Sequence, residues 1–78
     1  MFISVSDLML IERIIIEGLP NFDGVVGVEL DDGDMFLVAT MWVGDIKRKW
    51  RWCAEDSARW VRVHPAQVAE SAIEYFNE

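Results

Sequence analysis

Met35-Phe36-Leu37-Val38-Ala39-Thr40-Met41-Trp42-Val43, followed by Gly44-Asp45 and then Ile46-Lys47-Arg48-Lys49-Trp50-Arg51-Trp52-Cys53-Ala54, is the stretch that decides the fold. Its first part is apolar on both alternating faces, Phe36, Val38 and Trp42 on one and Met35, Leu37, Met41 and Val43 on the other. That is the pattern of a strand in the middle of a sheet. Gly44-Asp45 suits a two-residue hairpin turn with glycine in the first position. The next strand alternates Lys47, Lys49, Arg51 and Cys53 against Arg48, Trp50 and Trp52, giving it a basic face and an aromatic one.

Reading outward from this hairpin, Val26, Val28 and Leu30 alternate with Gly27 and Glu29 as a half-buried strand, and Asp31-Asp32-Gly33-Asp34 turns the chain into Met35. On the other side a link around Asp56 to Ala58 leads into Arg59 to Val63, which reads as a fourth strand. Upstream, Leu8, Ile11, Ile15 and Leu19 recur at helical spacing, Ser4 or Ser6 can cap the helix, and Gly18 with Pro20 stops it. The spacing predicts a helix over 7–17. Leu10, Ile14 and Ile16 widen its apolar stripe beyond what one sheet face needs. Downstream, His64 is held extended by Pro65, which opens a last helix whose inward stripe is Val68, Ala69, Ala72, Ile73 and Phe76. The expectation is a single α+β domain over 1–78: a four-stranded antiparallel meander flanked by an N-terminal and a C-terminal helix. An SH3-like small barrel with helical additions is the alternative.

With 78 residues the chain has room for one core, and apolar residues make up 53% of it, so some are expected on the surface, where a homodimer contact or a protein partner would cover them. The N-terminal apolar stretch is broken by Asp7, Glu12, Arg13 and Glu17, so no membrane span is expected. A secretory leader is not expected either, and Cys53, the only cysteine, fits a reducing compartment; the expected location is cytoplasmic. The net charge of −7 is unevenly spread. Over 46–62, Lys47, Arg48, Lys49, Arg51, Arg59 and Arg62 outnumber Glu55 and Asp56 by four, so the rest of the chain carries −11.

Two charged features compete as a binding site. The acidic residues Asp31, Asp32 and Asp34 at a hairpin tip, with Glu70 and Glu74 along the last helix, could meet a basic partner, as carboxylates on a rigid surface can imitate a phosphate backbone. The plainer reading is a soluble turn and a solvated helix face. Lys47, Lys49, Trp50, Arg51 and Trp52, with Arg59 and Arg62, hold the ingredients of a single-strand nucleic-acid surface, cations for phosphates and rings for bases. Against it, the rings and the cations fall on opposite faces of one strand, so Trp50 and Trp52 read as core and Lys47, Lys49 and Arg51 as the solvated reverse face. Trp42, Trp50, Trp52 and Trp60 are many for so small a core, which fits one or two of them at an interface.

Catalysis has little to stand on. His64 is the only histidine and reads as a helix-start residue, Cys53 reads as a small packed residue, and no carboxylate sits in an apolar stretch that would raise its pKa. No phosphate loop or zinc spacing occurs, and Asp31-Asp32-Gly33-Asp34 lacks the spaced ligands of a calcium loop, so neither cofactor nor metal is expected. The sequence therefore points to a small acidic non-catalytic protein that inhibits or occupies a macromolecular partner with a basic surface. Phage-encoded blockers of bacterial defence (anti-CRISPR-like proteins) and toxin-immunity proteins share this size and charge, an analogy only. The alternatives are a nucleic-acid-binding module using the basic Trp-rich hairpin and a homo-oligomeric assembly subunit.

Overall fold

The computed structural model of the chain describes residues 3–53 and 62–78. Helix α1 spans Val5–Gly18 and begins where Ser4 provides the cap, its Oγ accepting the Asp7 N–H at 3.1 Å. Of the two candidate serines Ser4 takes this role, and the helix starts two residues earlier than the spacing predicts. It ends as the Leu19 N–H donates to the Ile15 carbonyl at 2.7 Å, one residue before Pro20. Three strands follow, β1 (Gly24–Asp31), β2 (Asp34–Val43) and β3 (Ile46–Cys53), in an antiparallel sheet of order β1-β2-β3. Helix α2 covers Pro65–Asn77, with His64 at its N-cap and the His64 carbonyl accepting the Val68 N–H at 3.3 Å.

Both turns take the form their residues favour. Asp32 and Gly33 have φ of 52° and 84°, the pair of positive values of a type I′ hairpin, while Gly44 at 63° opens the second turn as glycine readily does. These two turns fix the register: Val28 faces Leu37, which faces Trp52, and Gly27 faces Val38, which faces Arg51.

The expected fourth strand is not found among the described residues. Arg62 and Val63 are helical, and 59–61, with Ala54 and the link at Asp56 to Ala58, lie outside the described residues. Alternation over so few residues, with Val at two of them, reads equally well as the edge of a helix. Nor is the barrel alternative seen: among the described residues the sheet has three strands, with β1 and β3 at its two sides. The α+β class and the antiparallel meander stand.

The helices lie side by side on one face of the sheet instead of flanking it. Gly18 near the end of α1 meets Ile73 near the end of α2, a Cβ on Gly18 lying 2.5 Å from Ile73 Cδ1, while Arg62 Nε is 3.8 Å from Asp7 Oδ2 at the opposite ends. The two helices therefore run in the same direction. Ile11 and Ile15 of α1, Leu37 and Ala39 of β2, Trp50 of β3 and Val68 of α2 form the centre of the core. Fully buried side chains such as Ile11, Ile15, Leu37 and Val68 each stabilise the fold by about 1.5–3 kcal/mol. Of the residues that widen the α1 stripe, Ile14 packs on the core, whereas Leu10 and Ile16 are exposed. Val28 and Leu30 are exposed as well, so only Val26 of that alternating row reaches the core.

Candidate functional site

Period-2 geometry puts Trp50 and Trp52 towards the helices and Lys47, Lys49 and Arg51 on the open face of the sheet, as the alternation predicts. Trp50 is buried and Trp52 half-buried, their rings meeting edge to face at 6.0 Å. The rings and cations of the Trp-rich hairpin thus look in opposite directions. Trp42 alone of the described tryptophans stands on the open face, 40% exposed, with Lys47 Nζ 5.9 Å from its ring centre. Trp60 and Arg59 lie outside the described residues.

The open face carries the structure's most organised charges. Lys49 Nζ reaches Glu29 Oε2 at 2.6 Å, and Arg51 donates to Asp31 Oδ2 at 3.1 Å. Lys49 stands opposite Thr40 and Glu29 opposite Phe36, so the first bridge crosses β2 diagonally over Val38. Arg51 stands opposite Val38 and Asp31 opposite Asp34, so the second crosses over Phe36, and the Arg51 guanidinium lies 4.0 Å from the centre of that ring. Two parallel bars of charge thus roof the apolar side chains of β2. Val38 and Thr40 are only 6% exposed although neither α1 nor α2 lies on that face. The series stops at Gly27, which offers no carboxylate and has nothing within 4 Å of the position its Cβ would take. The hydrogen bond from Lys49 holds the Glu29 carboxyl below its ordinary pKa of 4.5; desolvation opposes this, and the charges of Lys49 and Arg51 reinforce it.

The acidic tip is consequently divided. Asp31 is committed to Arg51, Asp34 is half-buried, and Asp32 is exposed in the turn. Glu70 and Glu74 are exposed on the side of α2 opposite Val68, Ala72 and Phe76, with Glu78 one further turn on, and none of the three pairs with a cation among the described residues. Arg62 approaches Asp7 instead of the basic strand. Cys53, expected to be packed, is exposed on the open face across from Phe36, because β3 is an edge strand and its last residue has a neighbour on one side only.

Neither a known protein family, a curated protein nor a solved structure matches this chain. Among the described residues no group of three or more His, Cys, Asp or Glu side chains is placed to hold a metal ion, and no helix is long and apolar enough to cross a membrane.

One side chain with a structural task is not foreseen from the sequence. Arg48, grouped there with Trp50 and Trp52, donates from Nη1 to the Phe76 carbonyl and from Nη2 to the Tyr75 carbonyl, both at 3.1 Å, and lies 4.8 Å from the Tyr75 ring centre. It closes the C-terminus of α2, where the last carbonyls lack their i+4 partners, the Tyr75 carbonyl accepting the Glu78 N–H at 3.4 Å besides, and where the helix dipole favours a cation. A lone arginine on the aromatic face of a strand was the signal, since a cation facing a core must find acceptors there.

Proposed function

We propose that the chain is a small, acidic, non-catalytic binding protein that occupies a basic surface on a macromolecular partner, in the manner of a protein inhibitor or an immunity protein. The observation that carries this reading is the exposed row of Glu70 and Glu74 on α2 with Glu78 at its C-cap, which no cation neutralises among the described residues. On the open sheet face Glu29, Asp31 and Asp34 are matched in number by Lys47, Lys49 and Arg51, so the surplus negative charge belongs to the helices and loops. A surplus of one sign steers association with a cationic surface and raises its on-rate. Asp32 at the turn adds to this field, whereas Asp31 serves Arg51 first.

The nucleic-acid reading loses support from the same geometry, since Lys49 and Arg51 already hold carboxylates and Trp50 and Trp52 face the core. The test is affinity capture from the source cells with the wild-type chain and with Glu70→Lys/Glu74→Lys, captured proteins being quantified by mass spectrometry at two salt concentrations. A discrete partner retained by the wild type and lost, at low salt too, by a variant that melts at the same temperature is the expected result. Equal capture by both chains, or tight binding of short single-stranded oligonucleotides that weakens steeply with salt, would overturn it.

A further inference from the structure

The open face of the sheet is apolar along its centre and oppositely charged along its two edges. Phe36, Val38, Thr40 and Trp42 of β2 line the middle, Glu29 and Asp31 the β1 side, and Lys47, Lys49 and Arg51 the β3 side. An apolar centre with a charged rim is the anatomy of a protein interface. Where the bars of charge end, beyond Gly27, the floor is uncovered: Val25 is 58% exposed and Trp42 40%. We infer that this face binds a second copy of the chain, the two sheets stacking face to face about a two-fold axis parallel to β2.

Charge complementarity selects both the occupant and the axis. A two-fold axis along β2 lays the acidic β1 edge of each copy over the basic β3 edge of the other, and stacks β2 on β2. A two-fold axis lying across the strands would lay β1 on β1 and β3 on β3, like charge on like charge. Pairing the sheets edge to edge about a two-fold axis brings the same conflict, β3 beside β3 or β1 beside β1. One symmetric arrangement therefore matches the signs of both edges, with Asp34 at the start of β2 the charge that meets its own copy, and a closed two-fold contact is self-complementary in just this sense. In the stacked pair Lys49 and Arg51 can exchange their own Glu29 and Asp31 for those of the other copy. The bars that roof β2 in the single chain thereby become bridges between chains, and Val38 and Thr40 receive the partner's β2 in place of their ionic cover.

Three strands about 4.8 Å apart and about 27 Å long give a footprint of roughly 400 Å² per copy, below the range of stable interfaces and within that of weak, transient ones, so association is concentration-dependent and in the micromolar range or weaker. The reading is independent of the α2 acidic row, which faces away from the contact.

Sedimentation equilibrium tests it on the wild type, on E29K/D31K, on K49E/R51E and on the equimolar mixture of these two variants, each variant first checked for folding by circular dichroism. Each variant alone sets like charge against like charge at the four bridging positions and should raise the dissociation constant at least about tenfold over the wild type. The mixture should restore dimerisation, because each edge then again meets its opposite. Rescue cannot come from within a chain, since each variant has lost its own bridges. Trp42→Lys, which leaves both bridges intact, should also be monomeric and keeps the test open if a charge variant fails to fold. A wild-type chain that stays monomeric up to about 1 mM, charge variants that dimerise alone, a mixture that remains monomeric, or an unaffected Trp42→Lys would each overturn the proposal.

Discussion

Arg48 and Glu29 show how much this domain asks of single polar side chains. The Arg48 guanidinium makes two parallel hydrogen bonds to the last turn of α2 and lies against two aromatic rings, a task that a planar fork performs and an ammonium does not. Arg48→Ala should lower stability by about 2 kcal/mol, a fall of roughly 10 °C in melting temperature for a domain of this size, and Arg48→Lys should recover less than half of it in thermal melts. Glu29 contributes in a different way. Its folded pKa is depressed, so its share of stability is fully present above its ordinary value of 4.5 and fades as the pH falls through the lower folded value. Removing the donor by Lys49→Met should move the Glu29 carboxyl titration, followed by NMR, back up towards that ordinary value. An unmoved titration would mean that Lys49 is not what holds it down. Neither role is visible from composition, which counts Arg48 and Lys49 alike as parts of a basic run; the alternation places them on opposite faces, and the faces decide what each one meets.

The elements were legible in proportion to how local their determinants are. Helix starts and hairpin turns depend on a few adjacent residues, and Ser4, Pro65, Asp32-Gly33 and Gly44-Asp45 all sit where they act. The strand expected at Arg59 to Val63 rested on alternation alone, and Arg62 and Val63 turned out helical. Placement of both helices on one face was not legible either, because it follows from long-range contacts, the close passage of Gly18 beside Ile73 among them. A second close approach fixes where the sheet begins. A Cβ on Gly24 would lie 1.8 Å from the Thr40 carbonyl oxygen, a backbone atom that cannot swing aside, whereas one on Gly27 would meet nothing. Gly24→Ala should therefore cost about 1–3 kcal/mol in chemical denaturation, while Gly27→Ala in the same sheet should be close to neutral. Equal effects would show that the Gly24 contact relaxes freely.

At the scale of the whole molecule, acidic and basic residues do not divide into two sides of the domain. The basic strand and its acidic counterpart share one face and bridge across it, and the surplus negative charge belongs to the helices and loops. The candidate site was thus half legible: alternation put the cations of β3 on one face, but pairing them with Glu29 and Asp31 required the register that the two turns impose. A dimer through the sheet faces would display the acidic row of α2 on both outer sides, giving a partner with repeated basic sites two points of attachment. The arrangement of α1 and α2 has a consequence for how the chain comes to its shape. Val68, Ala69, Ala72 and Phe76 fill the core from the last helix, yet they pack against α1 from the other end of the chain and against strands that are complete by Cys53. On the ribosome the finished meander must wait for α2 with the apolar underside of the sheet half uncovered, the window in which a nascent chain is most open to chaperones and to misassembly. The Arg48 bonds to Tyr75 and Phe76 can form only at the very end of that interval, so they latch a structure already assembled rather than guide its assembly.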